Sequence, residues 1–542
     1  MKKAIFFIFL LLIGFLLFYN VLPVINYGFY SIAIIILLLF LFYYLSLIGL
    51  KTDNTGKNFA ITSKPSKIMN LILLLLLSYL LIIPFLTSAT LLYTSKYQAM
   101  IGEVKNGEKI ATHIEPISID EIRVVDKTLA FLLGEKIIGS QPALGSQIDL
   151  GEFSIQKVNN ELFWVAPLLH SGFFKWLNNK EGTPGYVMVS ATNERDVRLV
   201  QTINDQAIKI KYQPNAFFKS DIHRHVYFNG YARKGLTDFT FEIDETGKPF
   251  WVITTFDKKV GFSGQDATGI LVVDVQTGEI IEYSIADAPD WVDRIQPVEL
   301  IETQLNDWGE YIKGYWNFSN TNKLQTTEGL TLVYGKDNKS YWYTGLTSVG
   351  SDESTVGFVL VDTRTKQTTF YKQSGATEYA AQSSAEGKVQ EKGFKASLPI
   401  PYNINNIPTY VMTLKDDGGL VKMYAMVAIN DYTIVGVGNS MRETLTAFKS
   451  VYNAAGNKIN PSSSDTKKTL KSIITRIQSD VKNGNSFYYF KVKDYPNMFV
   501  GSTQVSNELP VTIVGDSVTI SFDLDTEEVI DVTNFKNINL KK

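Results

Sequence analysis

The sequence predicts an α+β protein with three N-terminal transmembrane helices, repeated strand–strand–helix units and a small C-terminal β-barrel. Three apolar runs without any charged residue or histidine lie within the first 93 residues, at 4–22, 29–50 and 68–92. Each is about the ~20 residues that a helix needs to span a bilayer. Strand-like runs with a shared turn spacing follow, and five short strands end the chain.

Lysines predict the orientation of this membrane anchor. Lys2 and Lys3 precede the first run, and the loop 51–67 between the second and third runs holds four lysines and one aspartate. Short loops rich in lysine stay on the cytoplasmic side of a membrane. We therefore predict a multi-pass protein of the cell membrane, with a cytoplasmic N-terminus and a large extracytoplasmic domain from residue 94 onward.

The apolar runs carry no ionisable side chain, whereas transporters and proton pumps place such groups inside the bilayer. This favours an inert anchor over a transport path. Helices of this kind also allow homo-oligomerisation through the membrane segments.

Two strand-like runs share one pattern. The runs Gly269–Gly278 and Gly357–Lys366 have the same spacing from Gly to Asp and from Gly to Thr, and each follows an aromatic strand that contains a tryptophan. Looser copies lie around Trp164 and Tyr410. Such self-similarity predicts repeated units of strand, turn, strand and helix.

The segment Thr268–Ser284 joins an apolar strand, an Asp-x-x-Thr-Gly-Glu turn and a returning strand. It resembles the hairpin of PepSY-type domains, which recur in extracytoplasmic Gram-positive proteins. With Gly172–Trp176 and Gly235–Phe239, most of the chain is similar to uncharacterised multi-helix membrane proteins of Gram-positive bacteria. The resemblance implies location and architecture, and it carries no catalytic residue.

These patterns divide the chain into six regions. They are a membrane anchor of three transmembrane helices (1–93), a first extracytoplasmic α+β region (94–235), a PepSY-like repeat unit (236–316), further repeat units (317–460), a linker (461–469) and a small β-barrel of OB or SH3-like type (470–542). Pro461–Asp465 marks the linker. Ser118 with Glu121 predicts a capped helix that ends near Gly134, and apolar spacing over 470–481 predicts a helix before the barrel strands.

Charge and cysteine content exclude several classes of function. The first 67 residues hold six lysines and one aspartate, and the whole chain carries −2, so the remainder carries −7. Nucleic-acid binding needs clustered Lys and Arg, so no nucleic-acid partner is expected. The absence of cysteine excludes thiol catalysis, thiolate zinc sites and cysteine-ligated clusters. Sequence signatures of common hydrolases and phosphate loops are missing, and no cofactor is expected.

The candidate site residues are Asp221, His223 and His225. On a strand they would share one face and form a row of metal ligands. The alternative, an exposed polar strand face, is favoured because no further histidine lies nearby in sequence. Acidic turns at Asp244 and Asp274 offer two or three oxygens, too few for calcium, so hairpin-turn chemistry is favoured there. No catalytic or cofactor-binding residue is predicted.

The sequence thus favours a membrane-anchored extracytoplasmic binding or scaffold protein of the cell envelope, and not an enzyme. Expected partners are the lipid bilayer and an envelope protein or a cell-wall glycan, which exposed tryptophans would contact. The alternative is a wall-acting enzyme with a dispersed carboxylate pair. The largest pocket distinguishes them: carboxylates facing each other across a cleft favour the enzyme, and an aromatic surface favours binding.

Overall fold

The computed structural model describes residues 2–47, 49–52, 59–63, 65–108, 110, 114, 117, 119–327, 329–335, 339–349, 354–455, 467–482, 485–503, 505–523 and 529–540. The chain divides into two compact units, residues 1–457 and residues 458–542. The first unit mixes helices and sheets, and the second is a β-barrel. The predicted linker Pro461–Asp465 lies outside the described residues, as do Ser118 and His113.

Helices and strands are interspersed along the first unit. The helices are α1 (Lys2–Val21), α2 (Ser31–Ser46), α3 (Lys67–Ser88), α4 (Thr90–Gln98), α5 (Lys127–Gly139), α6 (Pro142–Gly145), α7 (Phe173–Asn178), α8 (Ile222–Val226), α9 (Val298–Glu310), α10 (Glu378–Lys388) and α11 (Met441–Ala454). The strands are β1 (Gly49–Thr52), β2 (Phe59–Ser63), β3 (Val104–Gly107), β4 (Ile148–Leu150), β5 (Ser154–Val158), β6 (Glu161–His170), β7 (Tyr186–Ser190), β8 (Val197–Val200), β9 (Thr202–Ile203), β10 (Gln206–Ala207), β11 (Gly235–Ile243), β12 (Pro249–Val260), β13 (Ser263–Asp274), β14 (Ile280–Ser284), β15 (Leu324–Thr326), β16 (Thr331–Tyr334), β17 (Ser340–Ser348), β18 (Ser354–Thr355), β19 (Gly357–Asp362), β20 (Thr368–Tyr371), β21 (Gly375–Ala376), β22 (Lys395–Ala396), β23 (Ile400–Ile404), β24 (Ile407–Lys415), β25 (Val421–Ala428) and β26 (Asp431–Gly438).

The prediction of three N-terminal transmembrane helices is wrong. Among the described residues only α3, with 22 residues, is long and apolar enough to cross a membrane. The apolar part of α1, Ile5–Val21, and the whole of α2 are shorter. The 16 residues of α2 reach about 24 Å, less than the ~30 Å hydrocarbon core. The second apolar run stops being helical at Ser46 and continues into β1, so the predicted multi-pass topology is unsupported.

Four antiparallel sheets follow one another along the first unit, and we call them sheets 1 to 4. Sheet 1 runs β4–β6–β7–β8 with β5 beside β6, and sheet 2 runs β11–β12–β13–β14. Sheet 3 runs β15–β17–β19–β20 with β16 beside β17, and β3 adds a parallel edge strand. Sheet 4 runs β22–β24–β25–β26 with β23 beside β24. Sheets 1, 2 and 4 are therefore built around a meander of consecutive strands, and sheet 3 around a meander in which β18 is left out.

Sheets 1, 2 and 3 each have the same group of three hydrogen bonds, which joins the segment before the sheet to two of its strands. We call this group the clasp. In sheet 3, the N–H groups of Ile295 and Gln296 both donate to Thr363 O, and the indole N–H of Trp342 donates to Gln296 O at 2.8 Å. The clasps of sheets 1 and 2 have the same bonds, made by Val124, Val125, Ala191 and Trp164 and by Lys211, Tyr212, Val275 and Trp251.

The β13–β14 and β19–β20 turns are alike. Oδ1 of Asp274 accepts hydrogen bonds from the backbone N–H groups two and three residues later. Oδ1 of Asp362 accepts the same two bonds. The turns end in the left-handed region, with φ +77° at Gly278 and +63° at Lys366. An Asp side chain that hydrogen-bonds its own turn explains why Asp stands at both positions.

Sheets 1, 3 and 4 each share a core with the helix that precedes them in the chain. Ile301 of α9 shares a core with Trp342 of sheet 3, and Ala381 of α10 shares a core with Tyr410 of sheet 4. Leu129 of α5 packs in the same way on sheet 1. In these three pairs the helix comes before the strands, unlike the predicted order of strand, turn, strand and helix, while α11, which follows sheet 4, also packs on β26.

The helix predicted from Ser118 to Gly134 is shifted along the chain. Helix α5 begins after Asp126, whose side chain accepts from Leu129 N, and it ends at Gly139. Gly134 lies inside the helix. A Cβ at this position would be 2.8 Å from a methyl carbon of Leu150, which explains why the residue here is glycine. The glycine permits close packing and does not end the helix.

The ends of α1 and α3 and the start of α2 meet the segment that runs from α8 to the β12–β13 turn of sheet 2. Tyr227 donates from its hydroxyl to Pro23 O at 2.7 Å, just after α1. Phe262, at the tip of β12–β13, donates from its N–H to Ser88 Oγ at 2.7 Å, and its ring stacks on Tyr30. Tyr79 of α3 donates to the carbonyl of Tyr27. These contacts hold the sheets against one end of the helices.

The second unit is a closed barrel of β27 (Lys467–Lys482), β28 (Asn485–Val492), β29 (Met498–Ser502), β30 (Ser517–Asp523) and β31 (Val529–Asn537), in the order β27–β28–β29–β31–β30. A small barrel is what the sequence predicts here, but the helix predicted over 470–481 is strand β27. A register shift between Ile474 and Arg476 explains the error. A bulge moves the next inward side chain by one position, so Ile474 and Ile477 stand three apart as on a helix.

Candidate functional site

A cleft of about 840 Å³ opens in the first unit where sheets 1, 3 and 4 meet. Strands β5, β6, β16, β17, β22 and β24 and the segment before α5 line it. Its charged and aromatic side chains are Arg123, Lys127, Arg294, Lys395, Lys415, Asp126, Asp416, Asp417, Phe153, Trp164 and Trp342. We call it the Arg–Trp cleft.

Clasps orient the two tryptophans of the cleft. The indole N–H of Trp164 donates to Val125 O and that of Trp342 donates to Gln296 O, both at 2.8 Å. The polar edge of each ring is satisfied within the protein, and both rings belong to the hydrophobic core, so only a small part of their carbon surface borders the cleft. The guanidinium of Arg123 lies 6.0 Å from the ring centroid of Trp164, within cation–π range. The cleft thus places a cation beside an aromatic wall.

Arg294 is the second cation of the cleft, and its environment is unusual. Its Nη2 lies 3.8 Å from Oε1 of Glu242, beyond hydrogen-bond length. Both Nε and Nη2 are buried and have no hydrogen-bond partner among the described residues. A buried polar group without a partner costs about 1–3 kcal/mol. Arg294 therefore offers donors that the fold leaves unused.

The acidic groups around Arg294 are shifted towards their neutral forms. Burial raises the pKa of Glu242 to about 8, although Arg294 acts in the opposite direction. Burial also raises the pKa of Asp238 and Asp293. Asp293 accepts hydrogen bonds from Lys157 N at 2.8 Å and from the Tyr334 hydroxyl at 3.0 Å. Burial thus disfavours the charged forms of the carboxyl groups around Arg294, while these same groups raise the pKa of the guanidinium.

The carboxylates that line the cleft serve the fold. Asp126 caps α5 and forms an ion pair with Lys415. Asp416 accepts from Leu420 N and Gly418 N, and these bonds with Lys422 lower its pKa. Two of the three carboxylates that line the cleft are thus engaged within the fold, and Asp417 is the third.

The row of metal ligands considered for Asp221, His223 and His225, against which a polar strand face was favoured, does not form. Asp221, His223 and His225 belong to the start of helix α8, where Asp221 is the N-cap and accepts from Arg224 N at 2.8 Å. His223 packs on Phe239, and Nε2 of His225 lies 2.7 Å from Gly278 O. Nδ1 of His223 lies 3.9 Å from Oδ1 of Asp221, but the residues lie at the start of a helix, so the strand interpretation is wrong. Within the described part of the chain, no group of three His, Asp or Glu side chains is placed to hold a metal ion.

The acidic turns have the chemistry of hairpins. Asp244 accepts from Thr246 N and Lys248 N, both at 2.9 Å, and Asp274 pairs with the Lys248 ammonium at 2.6 Å. The side chain of His170 is buried, which lowers its pKa, and the backbone N–H of His170 donates to Oε1 of Gln213. None of these side chains lines the Arg–Trp cleft.

Sequence reasoning missed Arg123, Arg294 and Glu242. A signal was present for two of them: Glu242 stands between Phe241 and Ile243, and Arg294 precedes a buried isoleucine. A charged side chain inside an apolar run is costly and marks a special environment. Nothing in the sequence shows that residues so far apart meet at one cleft.

Comparisons with known proteins leave the family open. No protein-family model matches this chain. No curated protein matches it. Among solved structures, a glycoside hydrolase family 32 structure from Bifidobacterium adolescentis aligns over 73% of this chain and 68% of that chain, with 9% identity and a TM-score of 0.18. A likeness at this TM-score carries no argument about fold or activity.

Proposed function

We propose that this protein is a membrane-attached binding protein of the cell envelope, and that the Arg–Trp cleft holds a ligand with an anionic group and an apolar part. The observation that carries the proposal is Arg294, a cation that lines the cleft with two buried, unpartnered N–H groups. A carboxylate or phosphate is the group that a guanidinium binds best. Trp164 and Trp342 supply the apolar wall beside it.

Membrane attachment is supported by α3 and its surface. Leu74 and Leu81 of this helix are 63% and 67% exposed, which is stable only in an apolar surrounding. The lysines before it, in the loop 51–67, favour the cytoplasmic side for its N-terminal end. The sheets, which follow α3 in the chain, then lie outside the cell. In a scaffold role, these outward-facing sheets would bind an envelope protein or a wall glycan.

We also infer that the four sheets are copies of one unit, in line with the PepSY-like resemblance. The support is the clasp, which recurs with the same three bonds in sheets 1 to 3. Sheet 4 has a related form, in which Ala376 N donates to Ile429 O and the hydroxyl of Tyr410 donates to Ala376 O at 3.3 Å.

Anion binding is tested by thermal and urea unfolding of the full chain in detergent, with inorganic phosphate and glycerol phosphate as probes. At a ligand concentration near 100 Kd, the free energy of unfolding of the native chain should rise by about 2.7 kcal/mol. Arg294→Gln should abolish the rise, and Trp342→Phe should weaken it for glycerol phosphate more than for phosphate. Lys388→Gln, an exposed cation on α10, is the matched control. Equal stabilisation of the Arg294→Gln variant would contradict the proposal.

The enzyme alternative rests on Glu242, whose raised pKa suits a general acid. It is weaker because Glu242 is buried and does not line the cleft. Hydrolysis of wall glycan that Glu242→Gln abolishes and Arg294→Gln leaves intact would favour the enzyme. Binding without turnover favours the cleft as a binding site.

A further inference from the structure

We propose that two exposed aromatic clusters, one beside the end of α3 and one beside the end of α1, insert into the headgroup region of the same bilayer that α3 enters. The inference rests on the proposed membrane attachment and extends it. It adds a second contact, through which the sheets of the first unit lie against the membrane surface.

The Trp316 cluster consists of Tyr315, Trp316 and Phe318. Trp316 is 69% exposed and Phe318 is 73% exposed, and their rings meet edge to face at 5.7 Å. The loop that carries them is held internally, since Asn317 donates from its side chain to Thr321 O at 2.8 Å. The two apolar rings are therefore presented to the outside by a fixed loop.

This cluster lies close to the end of α3. Helix α4 begins two residues after α3 ends, and α9 packs on α4. Tyr311, the first residue after α9, lies beside Thr90 at the start of α4. Trp316 follows five residues later, and Lys313 is exposed between them. Trp and Tyr collect where hydrocarbon meets headgroups, because one part of each side chain is apolar and the other is polar.

The Phe174 cluster consists of Phe173, Phe174, Leu177 and Phe218. Phe174 is 76% exposed and Phe218 is 56% exposed. Phe218 has φ +53°, the left-handed region that an aromatic residue rarely adopts. A strained backbone that presents an apolar ring to the outside points to a function for the ring.

Contacts with α1 fix the place of this second cluster. Arg224, six residues after Phe218, lies 4.8 Å from the ring of Tyr19 and donates to Asn20 Oδ1 at 3.5 Å, both on the last turn of α1. Exposed Lys175 and Lys219 flank the aromatic rings. Lysines around an apolar patch favour anionic headgroups, since their stems lie along the patch while the ammonium groups reach the phosphates.

The bilayer is the occupant that fits both clusters. The end of α1 lies against Tyr227, between α8 and sheet 2, and the end of α3 lies against the β12–β13 turn of sheet 2, so the two clusters flank one end of the same helix group. Where α3 enters the hydrocarbon core, the headgroups necessarily surround that end. A protein partner would have to cover both sides of the helix group and compete with the lipid already there.

The absence of native cysteine makes the test direct. Phe318→Cys and Phe174→Cys are labelled with an environment-sensitive fluorophore, and the full chain is reconstituted in vesicles of phosphatidylcholine and phosphatidylglycerol. Leu81→Cys in α3 reports membrane attachment, and Tyr379→Cys, on α10 and 63% exposed, is the matched aqueous control. Lipids with a nitroxide near the headgroup should remove most of the emission at 318 and 174 and leave 379 unchanged.

The outcomes separate this inference from the proposed function. If nitroxide lipids quench the fluorophore at Leu81→Cys but fail to quench it at position 318 or at position 174, the proposed headgroup contact is overturned and membrane attachment still stands. No quenching at any of the three positions overturns membrane attachment itself. An independent readout needs no label: brominated lipids should quench part of the native tryptophan emission, and Trp316→Phe should remove the quenched part.

Discussion

Sheets 3 and 4 use different aromatic side chains to donate the side-chain hydrogen bond of the clasp. In sheet 3, Trp342 pairs with Val361, two residues before the clasp acceptor Thr363. In sheet 4, Tyr410 pairs with Val427, again two residues before the acceptor Ile429. The backbone register is thus the same. The donor differs: an indole N–H at 2.8 Å in one sheet and a hydroxyl at 3.3 Å in the other.

The difference teaches that the fold needs a donor at this position more than it needs one residue type. A tyrosine hydroxyl can also accept, and Tyr410 shares a 2.8 Å hydrogen bond with the hydroxyl of Tyr343 from sheet 3. Tryptophan has no acceptor and could not make that link. Sheet 4 therefore has a longer clasp bond and gains a polar connection to its neighbour.

The largest effect is expected for Trp342→Phe. Removal of the indole leaves a cavity and an unpartnered carbonyl at Gln296, so the free energy of unfolding should fall by ~2–4 kcal/mol. Urea unfolding of the full chain in detergent measures it. Trp251→Phe, which loses the same bond in sheet 2, should match it, while the exposed Trp316→Phe should stay within about 0.5 kcal/mol. A loss at Trp342 no greater than at Trp316 would break the comparison.

A smaller effect is expected for Tyr410→Phe. The ring volume is kept, and the loss is one long hydrogen bond and one shared hydroxyl, worth about 1–2 kcal/mol. Tyr343→Phe removes the shared bond from the other side. In a double-mutant cycle the two changes should cost less together than the sum of each alone. Additive losses would mean that the hydroxyl pair does not couple the sheets.

The smallest effect is a pH dependence at the junction of sheets 3 and 4. Burial raises the pKa of Glu378, whose Oε1 accepts from Gly345 N at 3.2 Å. The folded form then holds its proton at a pH where the unfolded form releases it. This stability is present below pH ~4.3 and is lost as pH rises towards the folded pKa. Glu378→Gln should flatten that part of the curve. An unchanged slope would show that Glu378 is ionised in the fold.

The sequence predicts features set by neighbours along the chain. Both Asp turns and the small barrel follow from local spacing, because a hairpin uses residues within a few positions of each other. Prediction from the sequence fails where contacts between residues far apart in the chain determine the local structure. The bulge after Ile474 imitates a helical period, and α2 ends at Ser46 although its sequence remains apolar. Asp221 caps a helix that no local pattern distinguishes from a strand.

The candidate site was less predictable than the fold. Trp164 and Trp342 are recognised as members of an aromatic pattern, but that they line a cleft depends on how sheets 1 and 3 pack. Arg123 and Arg294 reach the same opening from segments far apart in the chain. A single sequence holds no record of that meeting. The isolated charges of Glu242 and Arg294 beside apolar residues mark a special environment, but they do not show which segments meet there.

The clasps also set the order in which the chain can become compact during synthesis. Each joins segments roughly 50 to 70 residues apart, and its acceptor directly follows the third strand. A sheet is therefore locked as soon as that strand leaves the ribosome, before the next sheet has been made. A ribosome that stalls within a third strand leaves one open sheet and an uncovered tryptophan. Quality-control proteases would meet that exposed edge, while the sheets already closed resist them.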